Sequence, residues 1–138
     1  MGRILLVDDD KVNSSLIVNK LQMAGNSVVH APEGETALAE FSEQFDFIIL
    51  DIMIPRIDGV TLLSHLKKGI NKNTPVFIYT NLISDEKKQE CLTLGAADYI
   101  LKVDVTPQQL TDRILAKLPT TSTAESRNQS ENLPYGPI

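Results

Sequence analysis

The sequence predicts an α/β domain of the doubly wound (βα)5 kind, with parallel strands each followed by a helix. Three observations carry this. Residues 47–50 (FIIL) form a short, wholly apolar run that stops on a carboxylate, Asp51, the pattern of a strand buried on both faces of a parallel sheet. Residues 4–7 (ILLV) form a second such run, which stops on Asp8, Asp9 and Asp10. Strand-like and helix-like segments alternate five times along the chain, an order that calls for helices on both faces of one sheet, joined by right-handed crossovers.

Each element has its own signal. After the Ile4 to Val7 strand, Leu16, Ile17, Leu21 and Ala24 fall on one helical face, with Asp10 as cap and Gly25 as the left-handed stop. Ser27 to Ala31 reads as a second strand. Pro32, Glu33 and Gly34 then turn the chain into a helix carrying Ala37, Leu38 and Phe41. Beyond the Phe47 to Leu50 strand, Asp58 and Gly59 open a third helix with Leu62, Leu63, Leu66 and Ile70 at helical spacing and Gly69 near its end. Pro75 to Tyr79 is the fourth strand, and Ser84 and Asp85 start a helix that runs to Leu94 and closes at Gly95. Asp98 to Leu101 is the fifth strand. Thr106, Pro107 and Gln109 give the last helix a cap, an N1 proline and a capping-box partner, with Leu110, Ile114, Leu115 and Leu118 facing inward.

The 138 residues suffice for one domain with a proper core. We place the domain at residues 1–119 and read residues 120–138, rich in Ser, Thr, Asn and Pro, as a disordered tail or linker stump. Eighteen acidic against thirteen basic residues give a net charge of −5, which argues against direct nucleic-acid binding. No apolar stretch is long enough to span a bilayer and no signal-peptide segment is visible, so no membrane contact and a cytoplasmic location are expected. The lone Cys91 reads as a small core residue.

In a doubly wound sheet the carboxyl ends of the first and third strands can flank the switch point where ligands bind, which brings Asp8, Asp9 and Asp51 into one crevice. Carboxylates ~4 Å apart repel by roughly 4 kcal/mol per pair at an effective dielectric near 20, so the cluster needs a cation or raised pKa values. With oxygen ligands alone on offer, the natural cation is Mg²⁺. Thr80 and Lys102, at the ends of strands four and five, add a hydroxyl donor and a compact cation. Taken singly, Asp51 reads as a helix cap or a solvated loop residue, Thr80 as a capping hydroxyl and Lys102 as a solvated amine. Together they suit formation of an acyl phosphate on an aspartate.

At these residues the sequence resembles the receiver domain of two-component response regulators. The stretches ILLVDDD (4–10), DIMIPRIDG (51–59), YT (79–80) and GAADYILK (95–102) look like that family's motif blocks, in the same order and at similar spacing. The resemblance covers about residues 2–118 and implies a CheY-like (flavodoxin-like) sheet in the order 2-1-3-4-5. It further implies that Asp51 is the phosphoacceptor and that Mg²⁺ is held by Asp9 directly, by Asp8 largely through water, by Asp51 and by the Met53 backbone carbonyl. By the same resemblance Thr80 and Tyr99 are switch residues, Lys102 contacts the phosphoryl group, and Pro55, Asp58 and Gly59 shape the loop after Asp51. Phosphorylation would change the partner affinity of the face made by helix four, strand five and helix five. The implied partners are a sensor histidine kinase or histidine phosphotransfer protein and a downstream protein target, with a homodimer as an open option. Such a module is not an enzyme; it catalyses only its own phosphorylation and dephosphorylation.

The chain departs from the family pattern in three places. Many receivers follow the lysine with a proline in a cis peptide, whereas Val103 follows Lys102. A cis bond before Val costs about 2.5 to 4 kcal/mol, so a trans bond and a re-routed loop are expected. Asn81 stands where a small residue is usual, and its amide should obstruct attacking water. Ala97 replaces an acid beside Asp98, which weakens the case for a salt-bridged dimer face.

Tyr99 also reads as an ordinary half-buried aromatic, and His30 and His65 as surface residues without metal or catalytic partners. Lys67, Lys68 and Lys72 read as a solvated helix end. Three other functions compete with a phosphoacceptor. A small Asp-nucleophile phosphatase lacks a substrate-selecting insertion here. A flavodoxin-like cofactor binder would want Gly, Ser or Thr amides where the acids stand. A phosphorylation-independent pseudo-receiver is supported by the altered loop after Lys102 alone.

Overall fold

A computed structural model describes residues 2–118. The elements follow in the order β1 (Arg3–Val7), α1 (Lys11–Met23), β2 (Ser27–Ala31), α2 (Gly34–Glu40), β3 (Phe47–Leu50), α3 (Gly59–Leu66), β4 (Val76–Thr80), α4 (Asp85–Thr93), β5 (Asp98–Leu101) and α5 (Pro107–Lys117), with a 3-10 turn at Lys102–Asp104. The strands pair in parallel, in the order β2-β1-β3-β4-β5. The tail expected for residues 120–138 lies outside the described residues, as does the boundary placed at residue 119.

Side-chain alternation along the strands divides the core in two. Leu5, Val7, Ile48, Leu50, Val76 and Ile78 pack on the side of α2, α3 and α4, against Ala37, Leu62, Leu63 and Cys91. Ile4, Leu6, Phe47, Ile49, Phe77 and Tyr79 pack on the side of α1 and α5, against Ile17, Leu21, Leu110 and Ile114. Phe47 and Phe77 meet edge to face, with ring centroids 4.8 Å apart. Each such side chain taken fully from water contributes roughly 1.5 to 3 kcal/mol, so the apolar runs of β1, β3 and β4 supply the central stabilisation.

The helix ends follow the local chemistry of the sequence. Asp10, Asp58, Ser84 and Thr106 each accept a backbone N–H of the helix they cap, and Thr106 with Gln109 completes a capping box. Gly25 and Gly95 take the left-handed conformation, at φ 96° and 111°, that closes α1 and α4.

Four expectations need correction. Leu16 does not face the core: it is 48% exposed, because the buried stripe of α1 runs through Ser14, Ile17 and Leu21. Helix α3 ends at Leu66, before Ile70, which is exposed. Lys67 is half-buried rather than solvated. Its Nζ donates to the carbonyls of Lys72 and Thr74, 3.3 and 2.9 Å away, tying down the loop after α3, and burial lowers its pKa. Strand β4 begins at Val76, one residue later than expected. Pro75 lends the sheet only its carbonyl, which accepts Ile48 N at 3.0 Å, because proline has no N–H to give.

The connection from β3 to α3 depends on a close approach at Gly59, where a Cβ would lie 2.2 Å from the Ile52 Cα. We expect Gly59→Ala to lower stability by about 3 kcal/mol in urea denaturation, through forced displacement of the loop that follows Asp51. An unchanged midpoint would contradict this packing.

Candidate functional site

The three consecutive acids after β1 do three different jobs. Asp8 is fully buried; its N–H donates to Ala31 O at 3.1 Å, continuing the ladder with β2, and its Oδ1 accepts Asp10 N at 2.9 Å. Asp9 is exposed at the mouth of the crevice. Asp10 turns away to cap α1, accepting Asn13 N at 3.1 Å.

Asp51 follows β3 and is 3% exposed. Its N–H donates to Val7 O at 2.9 Å, so β1 holds it in place, and its Oδ1 accepts Met53 N at 2.9 Å. The Met53 side chain is itself exposed. Further along, Arg56 sits at φ 73°, with its guanidinium on Glu33 and Glu35 at 2.7 and 3.0 Å, which pins this loop to the start of α2.

Lys102 belongs to the 3-10 turn rather than to the end of β5, and from there its Nζ reaches Asp8 Oδ2 at 2.8 Å and Asp51 Oδ2 at 3.0 Å. Burial works against the lysine's charge, but hydrogen bonds and attraction from the two carboxylates outweigh it and raise its pKa. Burial raises the pKa of Asp8, and neither Lys102 nor the Asp10 amide fully offsets that effect. The peptide bonds among the described residues are trans, and Val103 is 75% exposed on the turn.

Asp8, Asp9 and Asp51 each offer an oxygen within 4.8 Å of the others. The set could hold a metal ion, and its all-oxygen chemistry fits a hard divalent cation. The fit has a further sign in the structure: the buried Asp8 Oδ2 meets the Lys102 ammonium at 2.8 Å and no other donor among the described residues.

Thr80 closes β4, fully buried, and its Oγ1 accepts Leu82 N at 3.3 Å. Tyr99 is 8% exposed and points inward, its OH donating to Leu82 O at 2.6 Å. Both side chains therefore end on the backbone of one residue. Asn81, between Thr80 and Leu82 in the chain, is exposed.

Two residues at the site escaped the sequence reading. His30 is half-buried rather than on the surface, and its Nε2 lies 2.8 Å from the Asp8 carbonyl; His65 is exposed as expected. The signal for His30 lies in the pairing of β1 with β2, which sets it opposite Leu6, two residues before Asp8. Tyr79, noted in sequence only as the neighbour of Thr80, is 1% exposed with its ring centroid 5.5 Å from Lys102 Nζ.

The parallel sheet in this order, with its acids and lysine at the carboxyl edge, defines the class: a doubly wound domain of the CheY-like kind. The chain belongs to the response regulator receiver domain family, whose model matches residues 4–115, and so to the signalling proteins of two-component systems. It is 35% identical over 132 residues to the transcriptional regulatory protein CpxR of Escherichia coli (strain K12), a match covering 96% of this chain and 56% of that protein. The chain thus spans little more than half the length of that relative. Among solved structures, the CheY-like receiver domain protein of Methanospirillum hungatei JF-1 aligns with a TM-score of 0.79 at 30% identity, over 85% of this chain and 93% of its own. The BeF3-activated DrrB receiver domain of Thermotoga maritima aligns at 0.75 and 31% identity, over 84% and 96%.

The raised pKa of Asp8 has a consequence for stability without metal. Between the ordinary value of 3.8 and its own higher value, Asp8 binds its proton more tightly in the folded than in the unfolded chain, so stability falls as pH rises through that window. Asn copies the protonated form. In EDTA at pH 7, Asp8→Asn should gain stability in thermal or urea unfolding, and the gain should vanish at pH values below the ordinary carboxylate range. A loss of stability at pH 7 would refute the assignment.

Proposed function

We propose that the domain is a phosphoacceptor in a phosphorelay, in which an Asp51 carboxylate oxygen attacks the phosphorus of a phosphohistidine on a sensor histidine kinase or histidine phosphotransfer protein. The P–N bond of the donor breaks, a P–O bond to Asp51 forms, and the histidine nitrogen leaves to be protonated. The observation that carries the reading is the pairing of a nearly buried Asp51 with both Lys102 and the acids Asp8 and Asp9. A buried carboxylate flanked by a fixed ammonium suits transfer of a phosphoryl group, whose equatorial oxygens need neutralising. The BeF3-activated form of the similar DrrB domain lends support.

Asp8, Asp9, Asp51 and the Met53 carbonyl would hold Mg²⁺. Bound there, the ion would neutralise charge on the phosphoryl oxygens. Lys102 leaves its ion pair with Asp51 to contact the transferred group. The Thr80 hydroxyl donates to a phosphoryl oxygen, and Tyr99, tied to the same Leu82 backbone, follows it. The α4–β5–α5 face, where a groove is lined by Ile83, Lys88, Tyr99, Asp104 and Arg113, then changes its affinity for a downstream protein or for a second copy of the domain. The domain catalyses only its own phosphorylation and dephosphorylation, and no direct contact with nucleic acid is proposed for it. A cytoplasmic location belongs to the same proposal; no helix among the described residues is long and apolar enough to cross a membrane.

The test is incubation with acetyl phosphate and Mg²⁺, followed by intact-mass measurement. One phosphoryl group should be gained by the wild type and none by Asp51→Asn or by wild type in EDTA. No gain, with Mg²⁺ still bound, would instead favour the phosphorylation-independent binding module, and turnover of small phosphate esters would favour the phosphatase. A second expectation concerns Asn81, which is exposed and lines the same groove as Lys102. Asn81→Ala should lose its phosphoryl group severalfold faster than wild type, as water gains access; equal or slower loss would sink that role.

A further inference from the structure

Lys102 has to hold its direction without a cis proline after it, and its two ion pairs cannot do this alone. On the phosphoacceptor reading, on which this inference rests, a metal ion competes for the same Asp8 and Asp51 carboxylates, so their hold on the ammonium weakens when it is needed. One further contact on the ammonium does not involve the acids. Lys102 Nζ lies over the Tyr79 ring at 5.5 Å from its centroid, within the range at which a cation is attracted by an aromatic face.

The ring is fixed from three directions. Tyr79 is 1% exposed and packs in the α1/α5 half of the core, and it pairs with Ile100 of β5, two residues before Lys102. Its OH accepts a hydrogen bond from Asn13 Nδ2 at 2.9 Å. Asn13 is in turn placed by the Asp10 cap, which accepts its N–H at 3.1 Å. A line of contacts therefore runs from the cap of α1 through Asn13 and the phenol ring to the ammonium. Beside it lies an open groove of about 390 Å³, lined by Asn13, Leu16, Tyr79, Asn81, Lys102 and Val103. Without the ring, that groove gives the flexible lysine room to turn out into water.

We propose that Tyr79 is a positioning residue: its ring, tethered by Asn13, keeps the Lys102 ammonium aimed at the group transferred to Asp51. Tyr79 does not touch the reacting atoms and acts only through Lys102. The competing explanation is that Tyr79 merely fills the core.

A double-mutant cycle separates the two. Initial rates of phosphorylation by acetyl phosphate at saturating Mg²⁺ are measured by intact mass for Tyr79→Leu, Tyr79→Phe and Asn13→Ala, each alone and combined with Lys102→Ala. The Mg²⁺ affinity and the urea midpoint are followed alongside. Tyr79→Leu should slow phosphorylation about fivefold with Mg²⁺ affinity unchanged, Tyr79→Phe should restore most of that rate, and Asn13→Ala should cost about twofold. None should slow the reaction further once Lys102 is Ala. Equal fold losses with and without Lys102 would make Tyr79 a core residue only and overturn the inference, as would an unaltered rate in a folded Tyr79→Leu protein. Should Tyr79→Leu not fold, Asn13→Ala carries the same comparison. A wild type that binds Mg²⁺ and takes up no phosphoryl group overturns the reading of Asp51 itself, and this inference with it.

Discussion

Two carboxylates and one ammonium are taken out of water together at the carboxyl edge of the sheet, and much of the surrounding structure answers to that. At the observed separations of 2.8 and 3.0 Å, each contact of Lys102 with Asp8 and Asp51 is worth roughly 6 kcal/mol in an effective dielectric near 20. Withdrawing each ion from water costs several kcal/mol in return, so the cluster is no net source of stability. One positive charge also cannot balance two buried negative ones, with Asp9 close by. Burial is what raises the pKa of Asp8, and the Asp51 charge adds the least to it. What keeps the groups in place is the backbone: Asp8 and Asp51 are each held by a ladder hydrogen bond, to Ala31 and Val7, before any side-chain contact is counted.

Strand alternation then decides which side chains can meet there. Ile4 and Leu6 of β1, Phe47 and Ile49 of β3, and Ile100 of β5 face α1 and α5. Asp8 and Asp51 follow β1 and β3 in the same parity, and Lys102 reaches them from its 3-10 turn past the Tyr79 ring of β4. Thr80 and Tyr99 have the opposite parity and fall toward α4. The charged groups thus gather at the strand ends beside Tyr79, and the Thr and Tyr pair meets at the Leu82 backbone. A one-residue slip of β4 would exchange Tyr79 for Thr80 and lose both arrangements.

This explains what could be read from the sequence and what could not. Apolar runs ending on acids, and caps such as Asp10, Ser84 and Thr106, are local signals, and they locate the strands, the helix starts and the main site residues. His30 and Tyr79 were missed because their roles come from pairing across strands, His30 with β1 and Tyr79 with β5, which no local pattern records. Leu16 and Ile70 were misplaced for a related reason. Helical spacing marks an apolar stripe but does not say which edge of it the sheet covers, or that the helix ends at Leu66 with Lys67 bonding ahead to Lys72 and Thr74. The departure at Val103 was legible, since the cost of a cis bond before a non-proline residue is a general one.

The Leu82 backbone would let the proposed switch run with little demand on side-chain identity. Its N–H is accepted by Thr80 Oγ1 and its carbonyl accepts Tyr99 OH, so the same residue serves both. If the Thr80 hydroxyl turns toward a phosphoryl oxygen on Asp51, the Leu82 N–H loses its acceptor, and leaving such a group unpaired away from water costs about 1 to 3 kcal/mol. Leu82 then has reason to move, and any movement disturbs the 2.6 Å bond that holds Tyr99 inward. The two side chains need not touch to be coupled, because the backbone between them carries both hydrogen bonds. On this account the residue at position 82 is constrained in conformation more than in type, and its importance lies where a reading by residue type does not look.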